Sequence, residues 1–165
     1  MRVFISHSMK DKDWAGKLKK ALKSFDVFVW SDEKIAAGQP WRVEIQKALS
    51  RSQVILVLIS TNSLASEYVR DEWSEILKKT WKDPKKVLVP VILDNSAEVP
   101  HFFAHWTSLN LVKNPDILKK LPDTIQQCAE NPPAAQPWDE NTRKRFQARM
   151  RQIAETASKL WPEAS

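Results

Sequence analysis

The stretch that decides the fold is Val54-Ile55-Leu56-Val57-Leu58-Ile59, six consecutive apolar residues without a polar interruption. A strand with one wet face alternates apolar and polar residues, whereas a strand covered by helices on both faces is apolar throughout. The run ends at Ser60-Thr61-Asn62-Ser63, residue types that favour the N-terminus of a helix. The stretch therefore predicts a central strand of a parallel sheet that is followed directly by a helix.

Further units of a strand followed by a helix lie on both sides of this stretch. Strands are predicted at residues 3–6, 27–30 and 87–93, and a fifth between Thr107 and Val112. Helical periodicity follows the first, second, third and fifth strands, at residues 13–24, from 41 onward, at 64–80 and from Asn114 or Pro115 onward. This alternation predicts right-handed crossovers and an α/β fold, a flavodoxin-like three-layer sandwich with a five-stranded parallel sheet.

Two prolines lie inside predicted elements. Pro90 lies in the fourth strand, and because proline donates no hydrogen bond to a ladder, it favours an edge or bulge position. Pro122 lies in the helix after the fifth strand and predicts that this helix is divided into two short pieces.

The composition changes at Asn131, where three prolines occur within the seven residues 131–137. Such a stretch is typical of a linker. The segment 138–165 then has apolar residues at helical spacing, which predicts a C-terminal amphipathic helix that packs back on the domain or contacts a partner. The predicted organisation is a domain of residues 1–130, a linker of residues 131–137 and a helical extension.

Composition excludes several kinds of site in this chain of 165 residues. Its two glycines are too few for a glycine-rich phosphate loop, and Cys128, its single cysteine, excludes a disulfide framework and a thiolate zinc site. No apolar run has the length of a membrane span and the N-terminus does not resemble a signal peptide, so we expect a cytoplasmic protein without a membrane partner.

The net charge of +6 is a weak functional signal. The lysines are spread along the chain beside apolar residues at helical spacing, which is typical of solvated helix faces and does not favour nucleic acid as a partner. His101 and His105 have the spacing of a metal pair only on a helix. The adjacent Pro100 and the lack of a third ligand argue against a metal site.

Ligands of an open parallel sheet bind outside the carboxyl ends of its strands. The polar residues predicted there are Ser6, His7, Ser8, Ser31, Asp32, Ser60, Thr61, Asn62, Asp94 and Asn95. A phospho-receiver domain would have acidic residues after the first strand and an aspartate ending the third, and neither is present. A flavin-binding domain would have a glycine in the first of these loops, and the loop from Ser8 to Lys12 has none.

Tyr68 and Glu72 form a second candidate feature. They are four residues apart, so on a helix they share a face beside the apolar residues Val69, Trp73 and Ile76. An aromatic ring can stack on a ligand, and a carboxylate can stabilise a positively charged sugar transition state. The alternative is an ordinary solvated glutamate on a surface helix.

Four motifs in order resemble the TIR (Toll/interleukin-1 receptor) domain family over residues 1–130. Val3-Phe4-Ile5-Ser6-His7-Ser8 resembles the family's first strand, and residues 27–41 resemble its second strand and BB loop. Residues 54–72 resemble its third strand and the helix after it. Lys86-Val87-Leu88-Val89-Pro90-Val91-Ile92 resembles its fourth strand, including the proline.

The resemblance implies a choice between two functions. Bacterial members of one class cleave NAD⁺, as substrate and without a further cofactor, to nicotinamide and linear or cyclised ADP-ribose, commonly in antiphage defence or cell-death signalling. Members of the other class are scaffolds that associate without catalysis. The enzymatic class has a glutamate four residues after an aromatic residue in the third helix, and this places Glu72 as the catalytic residue and Tyr68 at the usual tryptophan position.

The resemblance also implies substrate-binding residues and partners. The implied binding residues are His7, Ser8, Ser31, Asp32, Lys34 and Trp41. For Trp41, a place in the core at the start of the second helix is an open alternative. Self-association through the BB loop, Ser31 to Pro40, is implied as well, and the C-terminal helix is a candidate contact for a sensor domain or a partner protein.

Overall fold

The computed structural model describes most of the first 132 residues and three positions beyond them. The described residues are 1–30, 41–66, 69, 73, 76, 79–80, 83, 85–97, 99–100, 103, 106–132, 141, 144 and 148. The chain forms two compact units, Met1–Ala135 and Gln136–Ser165.

The first unit is built on one five-stranded sheet in which every strand pair is parallel. Its strands are β1 (Arg2–Ser6), β2 (Asp26–Trp30), β3 (Val54–Ile59), β4 (Val87–Ile92) and β5 (Leu109–Asn110). Their order across the sheet is β2-β1-β3-β4-β5, the flavodoxin-like arrangement. The predicted α/β fold and the five-stranded parallel sheet are thus confirmed.

Helices connect the strands and run back along the sheet. They are α1 (Lys12–Ala21), α2 (Trp41–Arg51), α3 (Thr61–Ala65) and α4 (Ile117–Glu130), with a 3-10 turn at Met9–Asp11 before α1. The six side chains of β3 are fully buried, as the uninterrupted apolar stretch predicts. One face of the sheet packs against α1 and α4, where Leu18, Leu121, Ile125 and the C-cap residue Leu22 are fully buried.

The predicted helix over residues 64–80 is wrong at its start and in its continuity. A capping box at Ser60 begins α3 at Thr61, and α3 ends at Ala65 because Ser66 is extended, with ψ at 121°. The chain is helical again at Val69, Trp73 and Ile76. Ser66 Oγ accepts a hydrogen bond from the Val69 amide at 3.4 Å, so a second serine caps this next helical segment.

Pro90 does not lie on an edge strand, since β4 pairs with β3 on one side and β5 on the other. The amides of Val87 and Leu93 donate toward β3, so the alternating geometry of a strand turns the nitrogen of Pro90 toward β5. There β5 pairs only with Val91 and Ile92. The proline is tolerated because its nitrogen faces the side of β4 where no ladder bond is formed at that position.

Pro122 does not divide α4, which is continuous over fourteen residues. The proline is the sixth residue of the helix and removes only the bond that its nitrogen would donate to Leu118. Leu121 and Ile125 are buried on either side of it, and this packing holds the two halves in one helix. Cys128 is partly buried against the same core, as predicted for a small core residue.

Beyond residue 132 the description is limited to Asn141, Lys144 and Ala148, which are helical and exposed. They lie within the predicted C-terminal helix, while most of the predicted linker and the other residues of that helix lie outside the described residues. None of the helices described here is both long and apolar enough to cross a bilayer.

Candidate functional site

The carboxyl end of β1 leads into a tightly bonded turn that carries His7 and Ser8. Both are buried, at 3% and 6% exposure. Ser8 caps the 3-10 turn, with its Oγ accepting from the Lys10 amide at 3.4 Å and its carbonyl accepting from the Asp11 amide at 2.8 Å. His7 Nδ1 lies 2.7 Å from the Ser8 carbonyl oxygen. Because a carbonyl only accepts, Nδ1 carries a proton and donates this hydrogen bond.

The carboxyl end of β3 is organised by the capping box of α3. The Ser63 amide donates to Ser60 Oγ at 3.0 Å, and the Ser60 amide donates to Ser63 Oγ at 2.8 Å. Both serines are buried. This reciprocal pair satisfies amides that would otherwise be unpaired at the start of the helix.

Asp11 connects these two segments. Its Oδ2 accepts from Ser60 Oγ at 2.5 Å, and its Oδ1 accepts from Asn62 Nδ2 at 2.8 Å. The residue is only 5% exposed. Asp11 was not predicted as a site residue, although the sequence carries one signal for it: an acidic residue immediately before an amphipathic helix, close to the end of a strand.

A second aspartate connects the segments after β3 and β4. Asp94 Oδ2 accepts from the Thr61 amide at 2.8 Å, and its Oδ1 accepts from Thr61 Oγ1 at 3.1 Å. Burial alone would raise the pKa of Asp94, but the hydrogen bonds from Thr61 and from the amides of Ala97 and Ser96 outweigh it and lower the pKa. The loops after β1, β3 and β4 therefore form one connected edge, as expected for the ligand side of such a sheet.

The lowered pKa of Asp94 predicts a pH-dependent stability. The folded state favours the ionised carboxylate, so its contribution is complete above the ordinary value near 3.8 and is lost as the pH falls through the lower folded value. We expect Asp94→Asn to be less stable than the unmodified chain at pH 7, and the difference in stability to become smaller as the pH falls below 3.8. Urea unfolding at pH 7, 5 and 3 measures the difference, and a gap that is constant across this range would contradict the prediction.

Several residues predicted for the site lie outside the described residues, namely Ser31, Asp32, Lys34, Tyr68 and Glu72. Trp41 is the first residue of α2, and its side chain is likewise outside the description. Of the predicted binding residues, the structure thus brings together His7 and Ser8. Trp30, at the end of β2, is 4% exposed and stacks on Phe28 with ring centroids 6.4 Å apart, so its side chain belongs to the core.

The described positions next to Tyr68 and Glu72 are informative. Val69, Trp73 and Ile76 are helical, and their exposures are 3%, 1% and 0%. Trp73 packs edge-on against Phe103 at a centroid distance of 5.2 Å. The buried stripe predicted for this helical segment is therefore present. The described residues contain no group of three or more histidine, cysteine, aspartate or glutamate side chains that could hold a metal ion, and His101 and His105 lie outside them.

Comparison with known proteins identifies the family. The sequence profile described as TIR domain matches residues 3–128. The chain belongs to the TIR domain family. Its structure is similar to the solved TIR domain of the Toll-related receptor TRR-2 from Hydra magnipapillata, with a TM-score of 0.58 and 20% sequence identity. The superposition covers 78% of the present chain and 98% of the TRR-2 chain. At that identity the likeness concerns the fold.

Two curated bacterial proteins are similar to this TIR domain. The NAD(+) hydrolase TcpC of Escherichia coli O6:H1 (strain CFT073) is 26% identical over 105 residues, which cover 62% of this chain and 34% of TcpC. The uncharacterized protein y4lF of Sinorhizobium fredii (strain NBRC 101917 / NGR234) is 26% identical over 95 residues, 55% of this chain and 29% of y4lF. The chain thus matches about a third of the length of these relatives.

Proposed function

We propose that this TIR domain cleaves NAD⁺ to nicotinamide and ADP-ribose, in linear or cyclised form, with Glu72 as the catalytic residue. The observation that carries the proposal is that Val69 and Trp73 are both helical and buried. Val69 directly follows Tyr68 in the sequence, and Trp73 directly follows Glu72. Two buried positions four residues apart support the predicted helical spacing, in which Tyr68 and Glu72 share a face beside the buried residues. The similarity to a protein named as an NAD(+) hydrolase supports the choice of substrate.

The reaction needs little acid catalysis. The bond between the ribose C1′ and the pyridinium nitrogen breaks, and the nitrogen retains the electron pair, so that nicotinamide leaves as a neutral molecule. Positive charge develops on the ribose as in other glycosyl transfers. The carboxylate of Glu72 stabilises this charge and holds the ribose hydroxyls. Water, or the adenine ring in cyclisation, then forms the new bond to C1′ and releases a proton.

The remaining parts of the proposal concern substrate binding and assembly. His7, Ser8, Ser31, Asp32, Lys34 and Trp41 line the nicotinamide and ribose side, and the ring of Tyr68 stacks on the substrate. The described contacts of His7 and Ser8 support a rigid wall at this edge, because both residues are fixed by bonds to the local backbone. Self-association through residues 31–40 completes the site, and the cellular role is NAD⁺ depletion in the cytoplasm during antiphage defence or cell-death signalling.

The proposal predicts that catalysis depends on protein concentration. Because a neighbouring copy completes the site, the rate per molecule of protein should rise across the micromolar range and reach a plateau once assembly is complete. Nicotinamide release, measured by chromatography in a dilution series, tests this expectation. A rate per molecule that is independent of concentration would indicate a self-sufficient monomer, and no release at any concentration would favour the scaffold function.

Substitution of Tyr68 separates stacking from packing. Stacking of a base on an aromatic side chain is worth about 1–3 kcal/mol, so we expect Tyr68→Ala to lower the rate of cleavage roughly tenfold to a hundredfold. Tyr68→Trp should retain or raise the rate, because it keeps an aromatic face. Initial rates and melting temperatures are measured on both variants. A destabilised but fully active Tyr68→Ala variant would assign the ring to the core and remove it from the site.

A further inference from the structure

We infer that Asp11 is a positioning residue of the proposed site, because its carboxylate fixes the segment after β3 against the turn that carries His7 and Ser8. The inference rests on the proposed NAD⁺ cleavage and adds to it a residue that neither makes nor needs a contact with the substrate. It concerns a long-range connection: Asp11 is separated from Ser60 by 49 residues and from Asn62 by 51.

The direction of the Asp11 side chain supports a positioning role. Asp11 occupies the N-cap position of α1, where an aspartate ordinarily accepts a hydrogen bond from an amide of the first turn. Here the side chain makes no cap hydrogen bond to its own helix. Both carboxylate oxygens instead accept from the segment after β3. The local stabilisation of α1 is given up for a contact between two loops at the carboxyl edge.

The free-energy cost of burying the Asp11 carboxylate also supports a positioning role. A carboxylate that is 5% exposed has lost most of its hydration, and this loss is offset only when the oxygens are well bonded. The donors that the described residues supply are neutral, a serine hydroxyl and an asparagine amide. An apolar pair of similar size would stabilise the fold at least as well. The polar contact is therefore better explained by the geometry that it imposes on the two loops.

The hydrogen bonds of Asp11 lie between two segments of the proposed site. On one side, the Asp11 amide donates to the Ser8 carbonyl, which also accepts from His7 Nδ1. On the other side, Ser60 opens α3, and six residues later Ser66 caps the helical segment that contains Val69 and Trp73. The carboxylate thus connects the wall formed by His7 and Ser8 to the segment in which Tyr68 and Glu72 are proposed to act.

Variants that swap the side chains of Asp11 and Asn62 test the inference. In Asp11→Asn, one acceptor oxygen becomes a donor nitrogen, so the side chain can no longer accept from both Ser60 Oγ and Asn62 Nδ2. In the double variant Asp11→Asn/Asn62→Asp, an amide again faces a carboxylate with the roles reversed. Positioning errors of about 1 Å cost up to a hundredfold in rate. We expect Asp11→Asn to lower kcat at least tenfold with KM changed less than threefold, and the double variant to recover most of kcat.

A matched control distinguishes positioning from general stability. Lys86→Met removes three partly buried or exposed hydrogen bonds at the opposite, amino edge of the sheet, and it should retain the kcat of the unmodified chain at a temperature where all variants are folded. If Asp11→Asn retains its kcat as well, or if the double variant stays as slow as the single one, the inference is overturned. If Asp11→Asn does not fold, Asn62→Ala, which removes one bond to the same carboxylate, replaces it in the same comparison.

A second measurement keeps the inference separate from the proposed function. Amide hydrogen exchange of Lys10 and Asp11 is compared between the unmodified chain and Asn62→Ala. Faster exchange in the variant supports a connection between the two loops, whether or not the chain cleaves NAD⁺. Unchanged exchange overturns the inference. Absence of NAD⁺ cleavage by the unmodified chain would instead end the proposed function and leave the exchange result to decide the connection.

Discussion

Replacement of Glu72 by glutamine is expected to reduce NAD⁺ cleavage at least about a hundredfold, the usual effect of removing one group that stabilises transition-state charge. Glutamine has nearly the same size and retains an oxygen that accepts hydrogen bonds, but it carries no charge to oppose the developing cation on the ribose. The loss should appear in kcat more than in KM, since the charge is present in the transition state and not in the ground state. Steady-state kinetics at saturating protein assembly measure the effect.

Because Glu72 is proposed to lie on the surface of a helix, the stability of Glu72→Gln should change by less than about 0.5 kcal/mol. Glu130→Gln is a matched control, because Glu130 is an exposed residue at the end of α4 that accepts a hydrogen bond from Gln126 within the same helix. It should retain full activity. Equal activity of Glu72→Gln and Glu130→Gln would remove Glu72 from the mechanism.

The largest effect on stability is expected at Lys86, which lies at the amino edge of the sheet. Its ammonium group donates to the carbonyls of Leu49 at 2.9 Å, Ser50 at 3.1 Å and Ser52 at 2.6 Å. These carbonyls belong to the last residues of α2 and the connection to β3, where a cation also interacts favourably with the helix dipole. Burial lowers the pKa of Lys86, and the carboxylate of Asp83, 3.9 Å away, opposes this effect.

We expect Lys86→Met to lower the free energy of unfolding by about 1–3 kcal/mol, because the partly buried carbonyls of Leu49 and Ser52 lose a charged donor that an apolar side chain cannot replace. Lys119→Met is the matched control, since the Lys119 side chain is 83% exposed and forms an exposed ion pair with Asp116, the N-cap residue of α4. It should change the stability by less than about 0.5 kcal/mol. Denaturant unfolding of both variants measures the difference, and a Lys86→Met variant as stable as Lys119→Met would show that these bonds contribute nothing to stability.

The sheet could be predicted from the sequence because its signal is local and strong. β3 has the predicted bounds, and its six apolar residues are all buried. A fully apolar run indicates a strand that is buried on both faces. When strands and helices alternate along the chain, such a strand favours a parallel sheet over other topologies. The short β5 could be assigned only to a range of residues, because two paired residues carry too little periodicity to define bounds.

The prediction was wrong where tertiary context overrides a local rule. Pro122 ends or kinks most helices, but here Leu121 and Ile125 are buried and hold α4 together across it. Ser66 was included in a continuous helical pattern, whereas it ends one helix and caps the next. Serine is compatible with both roles, so the residue itself does not show which of them it has.

The candidate site could be predicted only in part. The end of each strand marked His7, Ser8, Thr61 and Asp94 as residues of the carboxyl edge. The connection made by Asp11 was not visible, because its partners lie about fifty residues away and any acidic residue before a helix is first interpreted as a cap. Hydrogen bonds between loops depend on the register of the sheet, which a single sequence does not specify.

The most direct test of the proposed NAD⁺ cleavage is a product balance on the unmodified chain at high protein concentration, with Glu72→Gln prepared in parallel to account for contaminating activity. NAD⁺, nicotinamide and ADP-ribose species are quantified by chromatography over time. The account predicts one nicotinamide and one linear or cyclised ADP-ribose for each NAD⁺ consumed by the unmodified chain, and no consumption above the blank by the variant. Undiminished NAD⁺ in both samples, or equal consumption in both, would contradict it.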